Sequence, residues 1–287
     1  MKKIFIIGSI NTDFNIRTPY MPKKGETLTG SGFFTAHGGK GANQAVAAAR
    51  LGGKVYMCAC VGDDTFGREA KESLSSDGVD VSHIRTVSGV SSGTAVIILA
   101  EGDNRIILDK GANAFLSESD VDATLEDADE GDILLVQLEN PADVIGYALR
   151  RGHEKGMYVI LNPAPANREI EKYLPLCDLL IPNETETELF GGKDEIEKKA
   201  GCRLIITLGG DGFMLDGKIY PCPKVTPVDT TAAGDTFCGA LAARLADGEE
   251  LSSAAIYAST AASIACTRLG AQPSVPTRDE VARWFRS

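Results

Sequence analysis

Short apolar runs alternate with segments of helical character along most of the chain. Glycine or polar turn residues bound the runs, which is typical of strands buried on both faces of a sheet. The runs predict strands at Ile4–Ile7, Val55–Val61, Ile133–Val136, Tyr158–Leu161, Leu179–Ile181 and Leu204–Leu208. The other pattern predicts helices at Ala42–Leu51, Arg68–Leu74, Ala142–Arg151, Glu184–Phe190, Ala233–Ala246 and Leu251–Arg268. This alternation predicts an α/β fold with a doubly wound, mainly parallel sheet flanked by helices.

Two segments depart from the alternation. Thr94–Ala100, the polar turn Glu101–Asn104 and Arg105–Asp109 predict a β-hairpin with no helix between its strands. Asn15–Phe34 is rich in Thr, Gly and Pro and has no helical period. We expect these segments to form a small separate sheet that serves as a lid or as a dimerisation surface.

The length and composition fit one large globular domain. The chain has 287 residues, of which 43% are hydrophobic and 24% are charged, and a single α/β domain can reach about 250 residues. We therefore predict one domain over residues 1–287, with a lid inserted at about 14–35 and 93–110.

Charge and cysteine usage exclude several classes of function. The net charge of −11 argues against nucleic-acid binding, which depends on Lys and Arg neutralising phosphates. The apolar run at the N-terminus ends at Gly8, so it predicts a buried strand rather than a leader or a membrane span. Seven cysteines without metal-type spacing favour free thiols in a reducing compartment. We expect a cytoplasmic protein without a membrane partner.

Polar residues follow the first strand in the motif GSINTD. Ligands of open α/β sheets bind outside the carboxyl ends of the strands, so Asn11 and Asp13 are candidates to bind a small polar molecule. The alternative is a turn built from residues that commonly form turns.

The motif HGGKGANQ runs directly into an alanine-rich helix. Its glycines allow close approach of a ligand to the main chain, Lys40 adds a positive charge, and Asn43 offers an amide from the first helical turn. The spacing differs from GxxxxGK[ST], so the loop need not bind a nucleotide. A flexible loop before a capped helix is the alternative.

Two motifs near later strands suggest a nucleotide site. Asn183 and Glu186 are three residues apart, which suits oxygen ligation of hydrated Mg²⁺ and its phosphates, although the same pair also fits a helix capping box. Thr207–Gly212 follows a buried strand, and its glycines allow a nucleotide to lie along the main chain. A plain β-turn is the alternative there.

The stretch AAGD at 232–235 precedes an alanine-rich helix. Free main-chain amides at a helix start can bind an oxyanion. Asp235 is either an ordinary helix-start residue or a base beside a transferring phosphate. The chain has no GxSxG, HExxH or Cys-His arrangement, which disfavours a hydrolase.

Seven motifs in this order resemble the ribokinase family of carbohydrate kinases. They are GSINTD (8–13), GGKGANQAVAAAR (38–50), NPAPA (162–166), PNETE (182–186), ITLGGDG (206–212), VDTTAAGDTFCGAL (228–241) and TRLGAQPSVP (267–276). The resemblance covers nearly the whole chain. It implies a ribokinase-like fold with a β-sheet lid, and a homodimer formed through that lid.

The resemblance also implies residue roles. Sugar hydroxyls would be bound by Asn11, Thr12, Asp13, Gly39, Lys40, Gly41, Ala42, Asn43 and Glu139, with Asp235 as catalytic base. ATP would be bound by Asn183, Glu186, Thr207, Leu208, Gly209, Gly210, Asp211, Gly212, Gly234 and Ser259, and Glu186 would hold Mg²⁺ indirectly. The anion hole would consist of Ala232, Ala233 and Gly234. A K⁺ activator would lie among Asp229, Thr231, Ala265, Arg268, Gly270 and Ser274.

Two positions depart from the family pattern. The segment between Phe190 and Arg203 is short, so we expect a brief helix there and an altered surface on the nucleotide side. Ser259 stands where family members can carry a histidine near the adenine.

The implied reaction is transfer of the ATP γ-phosphoryl group to a primary hydroxyl of a small sugar, with ribose as the leading substrate. The expected sugar site is polar, whereas a nucleoside kinase needs an apolar slot and a sugar-phosphate kinase needs more than one cation. Deoxyribose or fructose remains an alternative. A non-catalytic sugar or nucleotide sensor would not need the Asp235 base, and a Rossmann dehydrogenase would carry GxGxxG after the first strand.

Overall fold

The computed structural model describes residues 1–101 and 103–285, and within them a nine-stranded sheet forms the centre of the molecule. Its strand order is β13-β12-β11-β10-β9-β8-β1-β4-β5, and neighbouring strands are parallel except for β12, which is antiparallel to both β11 and β13. The strands are β1 Lys3–Ile7, β4 Lys54–Gly62, β5 Ile84–Val87, β8 Ile133–Val136, β9 Tyr158–Leu161, β10 Leu179–Leu180, β11 Arg203–Thr207, β12 Phe213–Leu215 and β13 Lys218–Tyr220. All six predicted strands are present in this sheet, which confirms the predicted α/β fold.

Helices cover both faces of the sheet. They are α1 Lys40–Arg50, α2 Thr65–Ser76, α3 Glu118–Leu125, α4 Ala142–Glu154, α5 Glu184–Leu189, α6 Lys193–Ala200, α7 Ala233–Ala246, α8 Leu251–Ala265 and α9 Arg278–Trp284. The brief helix expected before LIITL is the eight-residue α6. The last predicted long helix ends at Ala265 rather than Arg268, because a turn follows it.

The side chains of β1 show how the two layers form. Ile4 and Ile6 pack with α1, α7 and α8 on one face, whereas Phe5 and Ile7 pack with α3 and α4 on the other. All four are at most 1% exposed, and burying such a side chain contributes about 1.5–3 kcal/mol. The uninterrupted apolar run in the sequence therefore reflects burial on both faces.

A second sheet of four strands lies beside this core. Its order is β3-β2-β6-β7, with β2 and β6 parallel and the two outer pairs antiparallel. The strands are β2 Asn11–Arg17, β3 Ser31–Gly38, β6 Gly93–Ala100 and β7 Asp103–Asp109. This is the expected lid, and its first two strands extend three residues beyond the predicted 14–35 segment at each end.

Parts of two predictions lie outside the described residues. Gly102 belongs to the predicted hairpin turn, and Arg286 and Ser287 end the predicted domain. Among the residues described, no helix has the length and apolar character needed to cross a membrane. All seven cysteines are free thiols.

Candidate active site

The site lies where the carboxyl ends of the central strands meet the start of α1. Gly8 and Gly41 let these elements touch, since a Cβ on Gly41 would lie 2.6 Å from the Cα of Gly8. Gly39 has φ +90°, and a Cβ there would lie 2.7 Å from the main-chain nitrogen of Asn11. A side chain at either position would push the lid strand β2 away from helix α1.

Asp235 lies in the first turn of α7 and is 6% exposed. Both of its carboxylate oxygens accept hydrogen bonds from α1. Asn43 Nδ2 donates to Oδ2 at 2.9 Å, and Gln44 Nε2 donates to Oδ1 at 3.0 Å. The carboxylate thus has a fixed orientation at the wall of a cavity of about 230 Å³.

The N-terminus of α7 lies in the same cavity. No side chain among the described residues caps this helix, and Ala232, which precedes it, adopts a left-handed conformation with φ 59°. Such a conformation costs an L-residue about 1–2 kcal/mol. Ala232, Ala233 and Gly234 all line the cavity. The Ala233 amide donates to the Thr230 carbonyl at 3.2 Å, whereas the next amides of the uncapped helix start can face an anion there.

Lys40 supplies the positive charge of the cavity. The nearby carboxylate of Asp235 raises the pKa of Lys40, Glu139 and Glu186 act in the same direction, and burial opposes them. The ammonium group therefore stays protonated among three acidic side chains.

Glu139 is fixed at the start of α1. Its Oε2 accepts from the main-chain N–H of Lys40 at 3.0 Å and from the hydroxyl of Ser9. Ser9 also accepts from the amides of Gly41, through Oγ at 3.4 Å, and Ala42, through its carbonyl at 2.9 Å. The amides of Gly41 and Ala42 thus support the loop, so these two predicted sugar ligands lack free main-chain donors.

The lid strand β2 brings Asn11 and Asp13 to the site. Asn113 donates to the side-chain oxygen of Asn11 at 2.8 Å. Burial raises the pKa of Asp13 to about 7, and the charges of Glu139 and Asp235 add to the effect. Thr12 is also buried, but strand alternation directs its side chain to the opposite face of β2.

A groove of about 440 Å³ continues from the catalytic cavity past β11 to α8. Several predicted nucleotide residues line it, namely Asn183, Thr207, Gly209, Gly210, Gly212, Gly234 and Ser259. Leu208 is not part of this lining, and Asp211 is exposed and pairs with Lys224 at 3.6 Å. The lining also includes side chains that the sequence did not indicate: Cys222, Lys224, Phe237, Ala262, Ser263 and Cys266.

Asn183 and Glu186 form a capping box, the alternative weighed from sequence. Asn183 Oδ1 accepts from the Glu186 amide at 2.7 Å, and Glu186 Oε2 accepts from the Asn183 amide at 2.9 Å. Burial raises the pKa of Glu186. Both residues also line the catalytic cavity, so the cap places them beside the predicted phosphate position.

The predicted monovalent-cation residues lie in two segments: Asp229 and Thr231 in the loop before α7, and Ala265, Arg268, Gly270 and Ser274 from the end of α8 to the 3-10 turn that follows it. Asp229 accepts from Thr231 Oγ1 at 2.6 Å and from the Gly270 amide at 2.9 Å. Burial opposes ionisation of Asp229, but these hydrogen bonds lower its pKa overall. The Arg268 side chain points away from the predicted cation position and donates to Glu280 at 2.6 Å. The hydroxyl of the buried Ser274 donates to the Ala271 carbonyl at 2.7 Å.

Each of the two predicted cation sites has a single carboxylate, which suits a hard cation whose remaining ligands are other oxygen atoms. Within the described residues, no cluster of three or more His, Cys, Asp and Glu side chains could hold a metal ion. One carboxylate beside a phosphate pocket fits Mg²⁺, which keeps most of its water and phosphate ligands. Asp229 supplies one carboxylate to the predicted monovalent-cation position, and its oxygens already accept from Thr231 and Gly270.

Comparison with known proteins finds similar carbohydrate kinases along nearly the whole chain. The family model described as pfkB family carbohydrate kinase matches residues 1–278. A ribokinase of Haemophilus influenzae is 40% identical over 301 residues, covering 99% of this chain and 98% of the relative. A deoxyribokinase of Salmonella typhi is 37% identical over 295 residues, covering 96% of each chain. Arabidopsis thaliana ribokinase complexed with ribose and ATP has a TM-score of 0.86 and 30% identity, covering 100% of this chain and 99% of that one.

Proposed function

Because the chain belongs to the pfkB family of carbohydrate kinases, we propose that it transfers the γ-phosphoryl group of ATP to the 5-hydroxyl of D-ribose. One observation carries the proposal. The buried carboxylate of Asp235, held by Asn43 and Gln44, lies at the uncapped start of α7 in a cavity that also contains Lys40 and Glu186, and the groove past β11 reaches the same helix start.

The chain's residues would act mainly by positioning and by charge stabilisation. Asp235 accepts the proton of the 5-hydroxyl while the hydroxyl oxygen bonds to the γ-phosphorus and the bond to the ADP oxygen breaks. Amides at the start of α7 and the ammonium group of Lys40 stabilise the transferred phosphoryl oxygens. Asn11, Asp13 and Glu139 hold the other sugar hydroxyls.

Two cations would complete the site. Mg²⁺, held near Glu186 through water and phosphate, supplies charge neutralisation when bound. The loops around Asp229 and Gly270 would hold K⁺ behind the anion hole, so we expect a higher rate in KCl than in NaCl at equal ionic strength. Equal rates in the two salts would count against the cation site.

The substrate preference follows from the polar character of the pocket. Two amides, two carboxylates and one ammonium group can pair with several hydroxyls, and each buried polar group left unpaired costs binding energy. Deoxyribose is the second candidate, because a deoxyribokinase is among the relatives. A kinase acting on fructose, or a sensor without catalysis, receives less support from these residues.

A substrate panel tests the proposal. Ribose, deoxyribose, fructose, adenosine and fructose 6-phosphate are each assayed with Mg-ATP, and kcat/KM is compared. We expect ribose to give the highest value. A higher value for deoxyribose would select the second candidate, and no turnover with any sugar would support a sensor.

Features outside the site bear on the oligomeric state and the cellular location of the protein. We propose a homodimer formed through the lid sheet, since Phe33, Ile106 and Ile107 on the lid are all more than half exposed. A cytoplasmic location agrees with seven free thiols and with ATP as co-substrate.

A further inference from the structure

Buried amide side chains behind Asp235 form a chain of hydrogen bonds. Gln44 donates through Nε2 to Asp235 Oδ1 at 3.0 Å and to Asn162 Oδ1 at 3.1 Å. Gln137, just after β8, donates through Nε2 to Gln44 Oε1 at 2.6 Å. Gln44 and Gln137 are both 0% exposed, so bulk water cannot replace a partner that is removed.

Each amide in this chain has one orientation that satisfies its neighbours. The ionised Asp235 carboxylate can only accept, so Gln44 must present its NH₂ group to it. The Gln44 oxygen then faces Gln137, which must present its own NH₂ group. Asn162 is oriented independently, because its Nδ2 donates to the main-chain carbonyl of Ile181 at 2.8 Å.

The other end of the chain is fixed by close packing. A Cβ on Gly8 would lie 2.3 Å from Gln137 Oε1, so the absence of a side chain at Gly8 makes room for Gln137. The Gln137 oxygen has no hydrogen-bond partner among the described residues. Its orientation is therefore set by the single bond to Gln44.

We propose that Gln44 is a positioning residue for the base, and that Gln137 supports the Gln44 orientation by donating to its side-chain oxygen. This inference rests on the proposed role of Asp235. Gln44 thus contributes to catalysis through Asp235 and does not itself contact sugar or nucleotide.

Several charged or titratable groups face Asp235 from the elements around it. They are Lys40 on α1, Glu186 on α5, Asp13 on β2 and Cys238 on α7 itself. None of these groups is replaced in the Gln44 and Gln137 variants. Their contribution to the pH dependence is therefore measured in the wild type and removed by taking the ratio of variant to wild-type kcat.

Gln44→Met keeps the approximate shape of the side chain and removes its donor. We expect kcat to fall about 10- to 100-fold, with KM for ribose and for ATP changing less than about threefold. A kcat within twofold of the wild type would overturn the proposal.

Thr124→Val is the matched control for a purely structural effect. Thr124 is 1% exposed and donates to the Asp120 carbonyl at 2.7 Å, away from the site. This variant should lower the melting temperature and leave kcat within twofold of the wild type. A fall of kcat in Thr124→Val as large as that in Gln44→Met would show that loss of stability alone produces the signal.

Gln137→Glu tests the role of Gln137 directly and keeps the shape of the side chain. The introduced carboxylate can only accept, so it competes with Asp235 for the Gln44 NH₂ group and weakens the hold on the base. Once protonated, the introduced carboxyl donates again and restores the native hydrogen bond to Gln44. We expect the ratio of variant to wild-type kcat to be about tenfold higher at pH 6 than at pH 8.5, whereas the uncharged Gln137→Met should show a lowered ratio that is independent of pH.

The result separates this proposal from the one it rests on. If Asp235→Asn retains near-wild-type turnover, the base assignment fails and the positioning role fails with it. If Asp235→Asn is inactive while the Gln137→Glu ratio is flat with pH, only the positioning role fails. Should Gln44→Met not fold, the Gln137→Glu profile decides alone.

Discussion

Asp13 shows how much a single buried side chain can set the working pH of the site. Its carboxyl lies near Glu139 and Asp235, and burial with these charges raises its pKa to about 7. A Cβ on Gly38 would lie 2.3 Å from the Asp13 carboxylate, so the glycine provides the space it occupies. An ionised carboxylate only accepts hydrogen bonds, so both of its oxygens can bind sugar hydroxyls that donate, whereas a protonated carboxyl must itself donate one hydrogen bond.

The raised pKa of Asp13 predicts a pH-dependent affinity for ribose. Below pH 7 the carboxyl is protonated and binds the hydroxyls less well, so KM for ribose should rise about tenfold as the pH falls from 8 to 6. Initial-rate measurements at saturating ATP test this. Asp13→Asn should give a high KM without that dependence, and a wild-type KM that is constant over this range would contradict the role of Asp13.

For individual residues, the sequence predicted which side chains belong to the site better than it predicted which of them contact each other. Asn11, Asp13, Lys40, Asn43 and Asp235 reach the site, because each belongs to a motif that follows a strand or starts a helix. Glu139 also lies there, but it belongs to none of the seven motifs and is implied by the resemblance alone. Gln44 and Ser9 are missing from the predicted set. Their partners Asp235 and Glu139 are 191 and 130 residues away, and no local pattern encodes such a contact.

Helix packing is the next scale at which the site is determined. Gly239 on α7 faces α1 so closely that a Cβ there would lie 2.4 Å from the Gln44 carbonyl oxygen and 2.6 Å from Ala47 Cβ. The two helices that carry Asp235 and its amide partners therefore depend on this glycine for their separation.

Gly239→Ala should consequently affect stability and rate together. Forcing α1 and α7 apart should lower the free energy of unfolding by about 1–3 kcal/mol, and kcat should fall because Gln44 moves with α1. Urea unfolding followed by circular dichroism, with parallel kinetics, measures both. Unchanged stability and unchanged kcat would contradict the close packing of the two helices.

The strands of the central sheet that were predicted correctly are those buried on both faces. The helices that were not predicted carry only a local signal at their first residues. β1 and β8 are apolar throughout because both faces are covered. α3 and α9 were not predicted, although each begins with a capping box, Ser117 with Asp120 and Thr277 with Glu280. The short antiparallel strands β12 and β13 contain only three residues each, too few for a reliable pattern.

On the scale of the whole molecule, the lid presents an exposed apolar surface. On β6 and β7 Val96 pairs with Ile107, and these side chains are 41% and 66% exposed. Exposed apolar surface of this kind on an otherwise acidic protein is typical of an interface. The proposed homodimer would cover it.

Ile107→Glu should therefore dissociate the dimer, because a charge would be buried against the partner's lid. Sedimentation equilibrium measures the mass. Ile219→Glu is the matched control, since Ile219 is 56% exposed but lies on β13, at the far edge of the central sheet. A monomeric wild type, or equal dissociation by both variants, would contradict an interface at the lid.

The central claim is that Asp235 accepts the proton of the sugar hydroxyl during phosphoryl transfer. The most direct test is kcat of Asp235→Asn with ribose and Mg-ATP, together with ribose binding measured by calorimetry. The asparagine keeps the shape of the side chain but is not a base. We predict a fall in kcat of about a thousandfold or more with ribose affinity within about threefold of the wild type. Turnover within tenfold of the wild type would contradict the account.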